Sequence, residues 1–173
     1  IRPMDGPDLD RLCQAARDLP ALILTVAAET VTPAQIAALV RAGTVVSLGH
    51  SDADYATCMA AVRAGARCAT HLFNAMSQLS SREPGLAGAV LQSGALDAGL
   101  IADGIHVHPA TIAAALRAKR RPGEVFLVTD AMACAGSDID HFSLNGRRIE
   151  RRDGRLTLQD GTLAGADTHC HDA

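Results

Sequence analysis

Up to residue 130, short apolar runs alternate with alanine-rich amphipathic segments, and this alternation restricts the fold more than any other feature of the chain. The apolar runs are ALILTVA (21–27), TVVSLGH (44–50), RCATHLF (67–73), a run within DAGLIADGIHV (97–107), and EVFLVTD (124–130). Around them lie DLDRLCQAARDL (8–19), TPAQIAALVRAG (32–43), DADYATCMAAVRAG (52–65), PGLAGAVLQSG (84–94) and HPATIAAALRAKR (108–120), each with helical spacing of its apolar residues. Thr32 followed by Pro33, with Gly43 at the far end, supplies the N-cap, first-turn proline and terminal glycine of a helix. Strands separated by helices at intervals of roughly 20 to 30 residues are the pattern of successive βα units. The predicted class is therefore α/β, with a parallel sheet of five strands.

After Asp130 the pattern changes. The segment FSLNGRRIERRDGRLTLQDGTLAG (142–165) sets one Asn-Gly and two Asp-Gly pairs between short alternating runs, which predicts antiparallel hairpins. Its basic cluster, Arg147 to Arg155, is broken by Glu150 and Asp153 and reads as a solvated hairpin rather than a phosphate patch.

With one Tyr, three Phe and no Trp in 173 residues, the core has to be aliphatic. A net charge of −3 gives no basic field for nucleic acid. No apolar run approaches the ~20 residues of a membrane helix, so no membrane partner is expected. Five scattered cysteines without a C-x-x-C pair point to a reducing compartment, and so to the cytoplasm. Cys13, Cys58 and Cys68 read as small apolar core residues, and Cys134 as a neighbour of the chemistry without being a nucleophile.

The chemistry is expected where the strands end, because in parallel α/β sheets ligands bind at the carboxyl ends of the strands. His50 ends its run, His71 closely follows CAT, His106 follows LIADGI, and Asp130 ends VFLVTD. A single strand-end histidine is most often a satisfied polar residue. Two on successive strands, with a carboxylate on a later one, suit a borderline divalent metal and a proton acceptor beside it. Glu29 lies at the same rim and reads as structural, with a further polar contributor to the site as the alternative. His108, before Pro109, reads as exposed or capping, and His141 as part of a polar loop.

GHSDADY (49–55), ATHLFNAM (69–76), REPGLAGAVL (82–91), IADGIHV (101–107), LVTDAMACAG (127–136) and GTLAG (161–165) together resemble the N-acetylglucosamine-6-phosphate deacetylases of the amidohydrolase superfamily. The resemblance implies a TIM-type (β/α)8 barrel, of which this chain holds about five βα units followed by a β-hairpin region. It implies His50 and His71 as metal ligands and Asp130 as the catalytic proton-transfer residue. Asn74, Ala75, Arg82, the turn Asp103, Gly104, Ile105 and His106, and Leu163, Ala164 and Gly165 are implied as contacts to the sugar phosphate. The implied cofactor is a divalent metal, zinc first, with ferrous iron or another transition metal as the alternative. The implied reaction is hydrolysis of the acetamide of N-acetylglucosamine 6-phosphate to glucosamine 6-phosphate and acetate, by a protein that pairs as a homodimer when complete.

A full barrel of this type has eight strands and usually ~250 residues. The chain is therefore read as an internal fragment, with a partial barrel over 1–136, a hairpin insertion over 137–165 and an atypical tail over 166–173. The family's upstream E-G-P carboxylate ligand has no counterpart in the chain. A partial barrel predicts exposed apolar edges and self-association of the isolated chain. In the tail, DTHCH resembles the D-x-H-x-H block of many amidohydrolases and offers His169 and His171. The alternatives are a catalytically incomplete remnant that at most binds sugar phosphate, and an amidohydrolase of different specificity.

Overall fold

A computed structural model describes residues 1–167. The tail histidines His169 and His171 lie outside the described residues. The described residues divide into two compact units, one formed by Ile1–Gly99 with Ala115–Phe126, the other by Leu100–Ala114 with residues 127–167.

In the first unit, helix α1 (Gly6–Asp18) starts from a capping box in which the Asp8 amide donates to the Asp5 carboxylate at 2.8 Å. Strand β1 (Leu22–Val26) leads into a short 3-10 turn (Ala28–Thr30) and then helix α2 (Pro33–Arg41). The Thr32 hydroxyl and Gln35 side chain cap α2 reciprocally, as the Thr-Pro start predicts. Strand β2 (Thr44–Leu48) is followed by helix α3 (Tyr55–Ala64), which opens on the Asp54 side chain and stops at Gly65 in the left-handed region. Then come β3 (Cys68–Ala69), helix α4 (Gly85–Gln92), β4 (Asp97–Leu100), helix α5 (Pro109–Ala118), whose first six residues count with the second unit, and β5 (Val125–Leu127).

These strands form one sheet in the order β1-β2-β3-β4-β5, and the ladders joining β1 to β4 are parallel, with Leu22 opposite Thr44, Ser47 opposite Cys68 and Cys68 opposite Asp97. Sequential order in a parallel sheet means every βα unit adds its strand on the same side, so the sheet grows in one direction around the core. The core of the unit is aliphatic: Ile36 and Leu39 from α2, Val46 and Leu48 from β2, and Leu86 and Val90 from α4 are fully buried. Helix α4 is buried from Gly85 to Leu91, which explains why its sequence is apolar all round. Ile23 and Val45, on the opposite face of β1 and β2, are exposed.

RCATHLF reads as a seven-residue strand, yet β3 covers only Cys68 and Ala69. His71 and Phe73 take φ of 31° and 74°, so the backbone leaves extended geometry directly after the strand.

In the second unit, β6 (His141–Leu144), β7 (Arg147–Arg152), β8 (Arg155–Thr157) and β9 (Leu163–Ala166) form an antiparallel sheet in sequence order. Asn145-Gly146 and Asp153-Gly154 turn β6 into β7 and β7 into β8 with both φ values positive, the backbone of a type I′ hairpin. Cys134, Ile149 and Leu156 make a small core, flanked by Met132, Phe142, Leu158 and Ala164. His141, expected in a polar loop, begins β6 because the Asn145-Gly146 turn pairs it with Glu150. Among the described residues, no helix is long and apolar enough to cross a membrane.

Candidate active site

The loop after β2 carries His50 and the loop after β3 carries His71, and the two imidazoles meet. Their Nε2 atoms are 2.9 Å apart and the rings stand edge to face, with centroids at 4.7 Å and an interplanar angle of 79°. His71 is buried and His50 is exposed, so the pair reaches from the core to the rim. Gly49 makes the approach possible: a Cβ there would lie 2.5 Å from Thr70 Cγ2 and 3.8 Å from His71 Cε1. Both histidines adopt left-handed backbone, with φ of 49° and 31°, and Ala75 follows with 46°. Non-glycine residues in this region cost about 1–2 kcal/mol each and persist only where neighbours hold them.

The neighbours are on three loops. Ser51 is buried, and its hydroxyl donates to Glu29 Oε2 at 2.5 Å while accepting from the amides of Ala28 and Ala53. Glu29 Oε1 accepts from the Asp52 amide at 3.0 Å. The Ser51 amide donates to the Ala75 carbonyl, and the Ser77 amide donates to the Ser51 carbonyl. Burial works to raise the Glu29 carboxyl, but the hydrogen bonds from Ser51, from its own backbone amide and from the Asp52 amide together outweigh it and hold Glu29 below its ordinary value.

Asn74 is fixed by its own backbone, its amide donating to the His71 carbonyl at 2.8 Å and its side-chain amide to the Leu72 carbonyl at 3.4 Å. Arg82 is exposed in a loop shaped by its neighbour: Glu83 Oε1 accepts from the amides of Tyr55 at 2.7 Å and Gly85 at 2.9 Å. His50, His71, Asn74, Ala75 and Arg82 all belong to the first unit.

The second unit holds the remaining predicted residues. Asp103 and His106 close one tight turn: Asp103 Oδ1 accepts from the amides of Ile105 and His106, and Oδ2 meets His106 Nδ1 at 2.6 Å. The two side chains are only 7% and 6% exposed. Burial works to raise the Asp103 carboxyl, but the His106 amide, the His106 ring and the Ile105 amide together hold it below its ordinary value. His106 Nε2 is buried and has no hydrogen-bond partner among the described residues, so its ring is tethered at one nitrogen and uncommitted at the other.

Asp130 follows β5 with φ of 53°, and its carbonyl accepts from the Ala166 amide at 2.8 Å. Gly165 thus lies beside Asp130, where a Cβ would come within 3.2 Å of the Asp130 carbonyl and 2.8 Å of Met132 Sδ. Leu163, Ala164 and Gly165 are in β9, which places the Thr-Leu-Ala-Gly turn against the aspartate segment.

His108 accepts from the Ala110 amide at 3.1 Å through Nδ1 and caps α5, as expected of it. Cys58 and Cys134 are buried, whereas Cys13 and Cys68 are only half-buried. Ser51 of Gly-His-Ser and Glu83 of Arg-Glu-Pro-Gly hold these loops although the sequence assigns them no role. Their signal was their position next to a named residue.

Two imidazole nitrogens bound to one zinc at 2.0–2.1 Å would stand about 2.9–3.4 Å apart for angles between square and tetrahedral. The His50–His71 separation of 2.9 Å falls at the lower end of that range, so these residues fit two positions of a metal site. Among the described residues no group of three or more His, Cys, Asp or Glu side chains is placed to hold a metal.

A parallel sheet with a histidine pair at the ends of consecutive strands defines an α/β protein of the kind whose chemistry sits on the strand-end rim. The chain is a homologue of the N-acetylglucosamine-6-phosphate deacetylases, to which it is similar over most of its length. It is 47% identical over 150 residues to an N-acetylgalactosamine-6-phosphate deacetylase of Shewanella sp. (strain ANA-3), covering 87% of this chain and 38% of that protein. It is 40% identical over 146 residues to the N-acetylglucosamine-6-phosphate deacetylase of Haemophilus influenzae, covering 83% of this chain and 38% of that protein. The crystal structure of the Pasteurella multocida N-acetylglucosamine-6-phosphate deacetylase superposes with a TM-score of 0.89 at 40% identity, over 97% of this chain and 43% of that one. A Mycobacterium smegmatis N-acetyl-D-glucosamine-6-phosphate deacetylase with an aspartate changed to alanine, solved with N-acetyl-D-glucosamine-6-phosphate, gives 0.87 at 33% identity, over 96% of this chain and 44% of that one. The chain thus spans less than half the length of these relatives. No protein-family model matches it.

Proposed function

We propose that the complete protein is a metal-dependent deacetylase of N-acetylglucosamine 6-phosphate, built on a (β/α)8 barrel to which this chain contributes five strands, four of them followed by a helix. The observation that carries the reading is the convergence of His50 and His71 at the ends of consecutive strands, in a homologue of sugar-phosphate deacetylases. His50 and His71 would hold the metal, zinc by the chemistry of two imidazoles. When bound, such an ion polarises a carbonyl and makes water acidic enough to attack at neutral pH.

The chain's own residues do the rest. Asp130 takes the proton of the attacking water at its carboxylate and returns it to the amide nitrogen, because a neutral amine leaves far more readily than its anion. Arg82 offers a forked guanidinium suited to a phosphate dianion. His106, tethered by Asp103 at Nδ1, leaves Nε2 as the nitrogen that would meet the sugar phosphate. Asn74, Ala75 and the Leu163–Gly165 segment complete the contacts. We place the protein in the cytoplasm as a homodimer.

A second reading changes only the sugar: the 47% identical Shewanella relative is named for the galactose epimer. Acetate release from the two epimers, measured as kcat/KM, decides between them. The reaction itself is tested by Asp130→Asn in the complete protein, which should keep its metal content and lose about 10²–10⁴-fold in turnover. Undiminished turnover refutes the role of Asp130.

A further inference from the structure

We infer that Glu29 and Ser51 form a latch that positions the His50–His71 pair, with Glu29 a positioning residue rather than a ligand or a surface acid. The inference builds on the reading of those histidines as the chemical centre, but its geometry stands apart from any metal. Three loops have to be held together for the two imidazoles to meet, and Ser51 is the residue that touches all three. Its hydroxyl joins the loop after β1 through Glu29 and the Ala28 amide. Its backbone forms an isolated parallel bridge with Met76 in the loop after β3, next to Ala75 and Ser77. It follows His50 directly, so wherever Ser51 is held, His50 is held.

The latch has a physical task. His50, His71, Phe73 and Ala75 all adopt left-handed backbone, a conformation that relaxes unless its surroundings fix it. The Gly49 amide, which donates to the Val26 carbonyl at 3.2 Å, pins the chain on one side of His50. The Glu29 carboxylate pins the other side twice, through the Ser51 hydroxyl at 2.5 Å and the Asp52 amide at 3.0 Å. Bonds to a charged acceptor are roughly twice as strong as neutral ones, which suits an acid to this place better than an amide. A glutamine could keep the Ser51 bond but would turn an N–H toward the Asp52 N–H. Glu29 lies on a short 3-10 turn between β1 and α2, outside the strands and α-helices, so its removal acts first on the loops it joins.

The test uses two readouts on the full chain and its Glu29→Gln, Glu29→Ala, Ser51→Ala and doubly substituted Glu29→Ala/Ser51→Ala forms. The first is metal-free: nuclear Overhauser contacts between the His50 and His71 ring protons, present in the parent and expected to vanish in Glu29→Ala and Ser51→Ala while the amide spectrum of β1, β2 and α2 stays in place. The second is zinc affinity by calorimetry, expected to fall about 10-fold or more in either alanine form and less in Glu29→Gln, in the range that outer partners of metal ligands command. The double substitution should lose less than the sum of the two single ones, because both remove the Ser51–Glu29 bond while each also removes bonds of its own. Ring contacts and zinc affinity that survive Glu29→Ala, or losses that simply add, overturn the inference. Loss of the ring contacts in a chain whose parent binds no zinc supports the latch and shows that the histidine pair alone holds no metal, so the two fail separately. Glu29→Gln, isosteric at an exposed position, keeps the test available if an alanine form does not fold.

Discussion

Replacing Gly165 by alanine should weaken the second unit by about 2–4 kcal/mol, and the same change at Gly161 by only about 1–2 kcal/mol. Both glycines have φ near 80°, at 80° and 83°, and both lie in the β8–β9 region. The backbone component is therefore shared: an L side chain in this conformation costs about 1–2 kcal/mol. What differs is the space. A Cβ at Gly161 meets nothing within 4 Å, whereas one at Gly165 runs into the Met132 side chain, with Sδ at 2.8 Å, and crowds the Asp130 carbonyl at 3.2 Å. The nearest contact is Met132 Cγ at 2.3 Å, close to the backbone end of that side chain, so overpacking, which costs about 1–3 kcal/mol, is expected near the middle of its range. Urea titration followed by circular dichroism and by the amide signals of β7 and β8 measures the pair directly. With a slope of about 1–3 kcal/mol/M, a difference of about 2 kcal/mol separates the two midpoints by roughly 0.7–2 M. Equal midpoints refute the argument, because they mean that the contact around Gly165 carries no energy. The Ala166–Asp130 hydrogen bond adds a second reading: faster exchange of the Ala166 amide in Gly165→Ala than in Gly161→Ala.

Cys58 is fully buried and burial pushes its thiol up to about 12, so it should resist a thiol reagent at pH 8 in the native chain and react once the chain is unfolded in urea; native labelling at Cys58, read by mass spectrometry of the peptide, contradicts the packing of α3. Asp103 should make the stability of the second unit fall in acid. Its folded carboxyl lies below its ordinary value of 3.8, so the ionised form is favoured by folding; the contribution is complete above about pH 5 and is lost as pH falls through the folded value. Asp103→Asn should flatten that part of the pH–stability curve, and an unchanged slope below pH 4 argues against the tether.

Where the residues themselves dictate local geometry, the sequence was readable. Thr32-Pro33 and Gly43 bracket a helix that exists, and Asn145-Gly146 and Asp153-Gly154 mark turns that exist, because capping and left-handed backbone are local demands that few residues meet. The five strands and their parallel class followed from periodicity, and homology with known deacetylases agrees with the quoted motifs. What stayed hidden was nonlocal. Nothing in RCATHLF says that the strand stops at Ala69, since that is decided by His71 turning toward His50 from another loop. Glu29 read as a structural acid, and its partners, Ser51 and the Asp52 amide, are brought to it only by the packing of β1 beside β2. The Asp103–His106 tether is the converse: a four-residue turn, legible as a motif, whose hydrogen bonds are local and whose remaining nitrogen is not.

The three Asn-Gly and Asp-Gly turns also set a timetable. In β6 to β9 each strand pairs with the next one in the chain, as His141 does with Glu150 and Glu150 with Thr157, so the search for each partner closes only a short loop. Each ladder from β1 to β4 has to wait for a crossover, joining residues as distant as Cys68 and Asp97. Folding rates fall as contacts become less local. The hairpin sheet should therefore acquire its protected amides earlier in refolding than the parallel sheet, so that the strand carrying Gly165 is in place while the histidine loops are still being assembled.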